Sequence, residues 1–302
     1  MAFLLGGYHE LTAALPPEHV VQVFSKRARL QAEAEAVRDS LCRNECHGNQ
    51  WILVLGLSRA TIDSLASDKR FLEGIDYRFQ WEGTTGLIKI VSPSAAHERI
   101  NSDFTIMVND KLAAMGIHRN DRRWGLATAY WPTIGNKGKE GDQTFLPPNR
   151  QITNSKVADW PTLVLEVGVS ESKSKLEEDT KWWFNNSEGR VRIVLVVVVK
   201  THSSVTFEKW QLLPPDAPSN VTRQYITSLR QQTPHMPPFV SQAAVNQRCF
   251  SAQEVTVERH GGVTGAPVVL PFRALFDRDP SPNERDVSIT AQEFQDITAA
   301  AF

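Results

Sequence analysis

Cysteine is scarce in this chain: Cys42, Cys46 and Cys249 are the three among 302 residues. So small and odd a number excludes a disulfide framework as the basis of the fold. Cys42-x3-Cys46-His47 is a fragment of a zinc spacing, but no second ligand pair follows at the usual distance. The plainer reading is two thiols one helical turn apart. Long apolar runs are lacking too. The run Ile193 to Val199 is strongly apolar, yet far shorter than the ~20 residues a membrane-spanning helix needs. The opening Met-Ala-Phe-Leu-Leu-Gly-Gly has neither a basic region nor a long apolar stretch behind it. The expectation is a soluble intracellular protein, cytoplasmic or nuclear, with no membrane partner. Charge of one sign is also missing: 33 basic against 34 acidic residues leave a net −1. No global field draws the chain to nucleic acid, so any such contact must come from a local patch. Finally, there is no Gly-x-Ser-x-Gly elbow, no His-Glu-x-x-His and no Gly-rich phosphate loop, which leaves a small-molecule hydrolase without support.

What is present suffices for a sizeable core, since 41% of the residues are hydrophobic. Pro16 and Pro17 precede a stretch, 17–46, that reads as an exposed helix and a candidate partner surface. Trp51 to Leu57 is a short apolar run, strand or buried helix. Residues 76–81 and 87–91 alternate around Gly83-Thr-Thr-Gly86 as a hairpin. A helix is expected from about Ala95 to Met115, with Ile100, Phe104, Met107, Val108, Leu112 and Met115 as its apolar face. Trp124 to Trp131 reads as a strand, 134–141 as a Gly- and Lys-rich loop, and Asp142 to Phe145 as a short extended piece. Leu163–Val169 is a strand, 175–186 a helix opened by the capping box Ser174-Lys-Leu-Glu177, and Val191–Val199 a central strand buried on both faces. Val205 to Leu212 follows as its antiparallel neighbour. Two proline-rich clusters then mark loops, and Thr290-Ala-Gln-Glu293 is a capping box for a last short helix. The order places the chain among α/β or α+β folds, with a mixed sheet flanked by helices. The expected organisation is an N-terminal helical extension (1–70), a core (71–212) and a C-terminal extension packed on it (213–302).

Glu166 interrupts the strand Pro-Thr-Leu-Val-Leu-Glu-Val-Gly-Val. A carboxylate is costly to bury unless a metal ion, a basic partner or a shared proton compensates it. Val164, Glu166 and Gly168 share one strand face, and the glycine leaves room beside the acid. Asp142 lies upstream in Gly-Asp-Gln-Thr-Phe-Leu-Pro-Pro, and Lys181 lies downstream on the helix. Two carboxylates on adjacent strands could supply two ligands to Mg²⁺, or to Mn²⁺, and the Val167 carbonyl a third. Such an ion lowers the pKa of a bound water, and a lysine would stabilise charge on a phosphate in flight. Plainer readings stand beside these. Glu166 could be a salt-bridged carboxylate, Asp142 a turn residue, and Lys181 the ion-pair partner of Glu177. Lys173 and Lys175 compete with Lys181 for the lysine role. His97 and Glu98 open their helix, where a structural histidine and a dipole-stabilised carboxylate are sufficient readings, though either could enter the same cleft. Arg119, Arg122 and Arg123, with His118, form the clearest basic cluster and the candidate nucleic-acid contact. Trp182, Trp183 and Phe184 read as packing residues.

Five stretches carry a family resemblance: Gly86 to Glu98, Glu140 to Pro148, Trp160 to Ser172, Lys175 to Trp183, and Val191 to Val199 with its following strand. In order and spacing they resemble a restriction-endonuclease family of the PD-(D/E)XK nuclease superfamily, in its fungal, uncharacterised members. The resemblance covers roughly half the chain. It implies a restriction-endonuclease-like core and magnesium-dependent cleavage of nucleic acid, DNA above all. It places the first acid at Asp142, the second at Glu166 and, because Gly168 stands where the superfamily's lysine usually sits, the lysine at Lys181. Gly141 replaces the proline expected before Asp142. The helix after the hairpin would bring His97 or Glu98 to the cleft. The expected function is thus a metal-dependent nuclease. The alternative is a catalytically inactive interaction protein on the same fold, favoured by the near-neutral charge, the missing adjacent lysine and the N-terminal helix, which would serve a homodimer or a partner protein.

Overall fold

The computed structural model describes residues 9–44, 48–91, 95–132, 135–150, 159–169, 173–200, 203–232, 246–299 and 301–302. Cys46 and His47, and with them the fragment of zinc spacing, lie outside the described residues.

In chain order, the first third runs α1 (His9–Thr12), β1 (Val20–Val23), α2 (Arg27–Arg43), β2 (Trp51–Leu55), α3 (Arg59–Ser67), β3 (Tyr77–Glu82), β4 (Thr85–Ile90) and α4 (Ala95–Ala114). Then come β5 (Arg123–Trp124), β6 (Ala129–Tyr130), β7 (Lys137–Glu140), β8 (Gln143–Leu146), β9 (Leu163–Val169), α5 (Lys173–Asn186), β10 (Ile193–Lys200) and β11 (Ser204–Leu212). The remainder is α6 (Arg223–Gln231), β12 (Cys249–Glu258), β13 (Val263–Thr264), β14 (Val268–Leu270), α7 (Phe272–Phe276), β15 (Val287–Ile289) and α8 (Ala291–Thr298). This is a mixed α+β fold of multi-stranded sheets flanked by helices.

Two sheets carry it. A six-stranded sheet has the order β1-β2-β4-β3-β7-β6, and a seven-stranded sheet the order β13-β12-β11-β10-β9-β8-β5. In the second, β9 and β10 are parallel, with Leu165 beside Leu195 and Glu166 beside Val196. The crossover between them is α5, as a parallel pair requires. β8 and β11 run antiparallel on either side. One face of this sheet, Leu163, Leu165, Val167, Ile193, Leu195 and Val197, packs on Ile100, Phe104, Val108 and Leu112 of α4 and on the C-terminal helices. The opposite face, Val164, Val194, Val196 and Val198, packs on Leu176, Trp182, Trp183 and Phe184 of α5. Burial on both faces explains the unbroken valine run of β10. Each fully buried valine or leucine contributes about 1.5–3 kcal/mol.

Several elements differ from the sequence expectation. The stretch expected as one helix over 17–46 is a strand followed by a helix: Val-Val-Gln-Val pairs parallel with β2, because β-branched residues after two prolines favour an extended chain. β2 in turn pairs with β4, so the stretch before residue 70 contributes strands as well as helices to one sheet. Ser174 lies inside α5, which starts at Lys173, so it is not the cap. Trp124 to Trp131 is broken into β5 and β6, which join different sheets. The Gly-Lys-rich segment expected as a loop contains β7, paired with β3. Gly138 makes that pairing feasible, since a Cβ there would lie 2.2 Å from the Trp81 ring. Among the proline-rich loops, α6 is an additional helix, capped by Thr222. The Thr290–Glu293 capping box is present with both its bonds.

Candidate functional site

The two sheets meet beside β8 and β9. Asp142 and Glu166 come from the side of the seven-stranded sheet, and Arg78, Lys89 and Lys139 come from the six-stranded sheet. The β8–β9 register ends at Gln143 opposite Leu165. Beyond it, side chains take over the backbone groups of Val167. The Val167 N–H donates to Asp142 Oδ2 at 2.9 Å, and the Val167 carbonyl accepts from Lys89 Nζ at 3.1 Å. Asp142 is 2% exposed and Glu166 3%.

Asp142 is surrounded by cations. Arg78 Nε of β3 lies 2.9 Å from Oδ1, an ion pair whose N–H is not aimed along a hydrogen bond. Lys89 Nζ of β4 lies 3.9 Å from Oδ2, and His97 Nε2 of α4 lies 3.4 Å from it. Burial pushes the carboxyl up, but Lys89, His97 and Arg78 together hold it well below the usual aspartate range. Burial pushes the His97 imidazolium down, and Asp142 and Glu98 more than reverse this, leaving it above the ordinary value. His97 occupies the first turn of the same stripe that buries Ile100 and Phe104, which is why it faces inward.

Glu166 points to the α5 side. Trp183 Nε1 donates to its Oε1 at 2.6 Å, and Lys139 Nζ of β7 lies 3.6 Å away. Burial raises its carboxyl to about 7 against the opposing pull of Lys139. Lys139 also lies 3.1 Å from Asp179 Oδ1, and Lys175 donates to the same oxygen one turn away on α5. Burial raises the Asp179 carboxyl, but Lys139 and Lys175 outweigh it and hold it down. Lys89 and Lys175 both sit over the Trp51 ring, 5.7 and 5.1 Å from its centroid. Gly141 permits the packing: a Cβ there would lie 3.1 Å from Val164 and 3.3 Å from the Trp183 ring that holds Glu166. At the rim, Glu140 accepts from Lys69 and from the Phe79 N–H at 3.0 Å. Burial lifts its carboxyl to about 7.

The structure therefore brings Asp142, Glu166, His97 and the Val167 carbonyl together. Glu98 lies at the edge, 64% exposed at its side chain and 3.3 Å from His97 Nδ1. Lys181 is not brought in. It pairs with Glu178 at 2.6 Å on the outer side of α5, with its side chain 47% exposed. An exposed pair of this kind contributes about 0–1 kcal/mol. Lys181→Ala is accordingly expected to shift chemical-denaturation stability by less than about 0.5 kcal/mol. The ammoniums that face the acids belong to Lys89, Lys139 and Lys175. Of these, only Lys175 was among the sequence candidates. Lys173 instead pairs with Glu208 on β11. Arg119 and Arg123 are exposed, whereas Arg122 reaches back to the Asn109 carbonyl at 2.7 Å and acts as a tether.

These donors do not fit a divalent ion as arranged. The Asp142 oxygens, the Glu166 carboxylate and the Val167 carbonyl already face side-chain cations or N–H groups. Among the described residues, no three His, Cys, Asp or Glu side chains are grouped to hold a metal. Nor, among them, is any helix long and apolar enough to cross a membrane.

No protein-family model and no curated protein matches the chain. Among solved structures it is similar to a protein from Anabaena variabilis described as a "putative nuclease belonging to DUF820". The match has 13% identity and a TM-score of 0.33, and covers 56% of this chain and 88% of that one.

Proposed function

We propose that this chain is a non-catalytic interaction protein on a nuclease-type fold, in which the acid–acid–lysine set is a buried, self-compensated ion network. One observation supports this reading above the others: both acids are buried and met by cations from β3, β4, β7 and α4. A metal-dependent nuclease needs carboxylate oxygens open to an ion and to a water. Here both Asp142 oxygens and Oε1 of Glu166 face internal partners. The test is cleavage of plasmid, linear and single-stranded DNA in Mg²⁺ and in Mn²⁺ by the wild type and by Glu166→Ala. The expected result is no cleavage that depends on Glu166. Cleavage by the wild type that the substitution abolishes overturns the reading.

The convergence of Asp142, Glu166 and three lysines from separate segments favours the second reading, a magnesium-dependent nuclease of nucleic acid. In that reading Lys89 or Lys139 takes the role expected of Lys181, and the network must open before an ion can enter.

A further inference from the structure

We propose that Lys89 is a tethered cation standing where a divalent ion would bind, and that removing its ammonium turns Asp142, Glu166 and the Val167 carbonyl into a Mn²⁺ or Mg²⁺ site. This rests on the reading of the network as closed and non-cleaving. Lys89 belongs to β4 of the six-stranded sheet, yet its ammonium reaches across to the end of β9. It lies 3.1 Å from the Val167 carbonyl and 3.9 Å from Asp142 Oδ2. These are two of the three oxygen sources a hard cation would use at this place. The third, Glu166, is within reach of the Lys89 charge, as are Asp179, Lys139 and His97. The other cations are peripheral by comparison. Arg78 and His97 address Asp142, and Lys139 addresses Glu166 and Asp179. Lys89 is buried with its ammonium over the Trp51 ring, so a small cation could enter only by displacing a covalently attached one. A tethered ammonium competes at a high effective concentration, which a free ion in solution must overcome.

Lys89→Ala removes the ammonium and three methylenes, making room for a small cation that keeps part of its water shell. Lys89→Met removes the charge but fills the space, so it separates the loss of charge from the opening of a site. The probe is Mn²⁺, followed by loss of the free-ion paramagnetic resonance signal and by calorimetry. Lys89→Ala is expected to bind one Mn²⁺ at least about tenfold tighter than the wild type. The gain should be absent in Lys89→Met and in Lys89→Ala/Asp142→Asn. Should Lys89→Ala be unfolded without metal, added Mn²⁺ is expected to restore cooperative unfolding, and a failure to do so overturns the proposal. No gain in a folded Lys89→Ala protein overturns this inference and leaves the non-cleaving reading intact. Mn²⁺ binding by the wild type that is lost in Asp142→Asn overturns both.

Discussion

Asp142→Asn is expected to destabilise the protein by about 3–5 kcal/mol, the cost of leaving buried ionic partners uncompensated. The substitution preserves shape and an oxygen for the Val167 N–H, so charge is nearly all that changes. Arg78, Lys89 and His97 then face one another without their common anion. His97 can relieve part of the strain by losing its proton; the other two cannot do so readily. Against a total stability of about 5–15 kcal/mol, such a loss is large and visible in urea or thermal unfolding. The measurement also separates the two functional readings. An active-site acid is kept at some expense to stability, so its neutralisation is commonly neutral or stabilising. A structural network behaves in the opposite way. A double-mutant cycle sharpens the result: Lys89→Met should cost less in the Asp142→Asn background than alone, because its partner has gone. A loss of under about 1 kcal/mol for Asp142→Asn, with no coupling to Lys89, would count against the network.

The sequence made the acids legible and hid most of their partners. Glu166 is visible because a charge in an apolar strand has few explanations, and Asp142 because it precedes the neighbouring strand. The hairpin β3–β4, the α4 stripe, the strand β9 with its helix and the valine run of β10 all follow from periodicity. The cations do not. Arg78 and Lys89 alternate with apolar residues on an ordinary hairpin, and nothing local says that the polar face of that hairpin is buried against a second sheet. Lys139 sits in Asn-Lys-Gly-Lys-Glu, a loop by composition, and becomes a strand only because Gly138 accommodates Trp81. Asp179 is one of several charges on its helix in the sequence, and only the fold buries it between Lys139 and Lys175. Lys181 is the lysine that the family resemblance implies, and it turns outward because the inward positions of α5 are held by Leu176, Asp179, Thr180 and Trp183. The strand β1 is masked by its neighbour, because the helix pattern that begins at Arg27 runs on directly from Val-Val-Gln-Val.

Stability should fall as pH rises from about 5 to about 8, and Glu166 should account for a large part of the slope. Burial lifts Glu166 and Glu140 from an ordinary 4.5 to about 7 in the folded protein. Between those values the folded state holds protons that the unfolded chain has lost, so raising the pH favours unfolding. The full span is on the order of 3 kcal/mol for each group. His97 acts in the same direction. Its raised pKa stabilises the fold fully below the unfolded value of 6.5, and that contribution disappears as pH rises through its folded value. Asp142 and Asp179, both held down, lose their contributions only as pH falls through values below the ordinary 3.8, outside this window. Glu166→Gln keeps an acceptor for Trp183 Nε1 and removes the titration. The variant should therefore lose less stability than the wild type between urea titrations at pH 5 and pH 8. Mg²⁺ should leave both curves unchanged, because an ion bound to Glu166 would hold it ionised and reverse the wild-type trend. A wild-type curve that is flat or rises toward pH 8, or a Glu166→Gln slope equal to the wild type's, would show that Glu166 does not hold its proton in the fold. The carboxylate would then have a compensator other than Lys139 and Trp183.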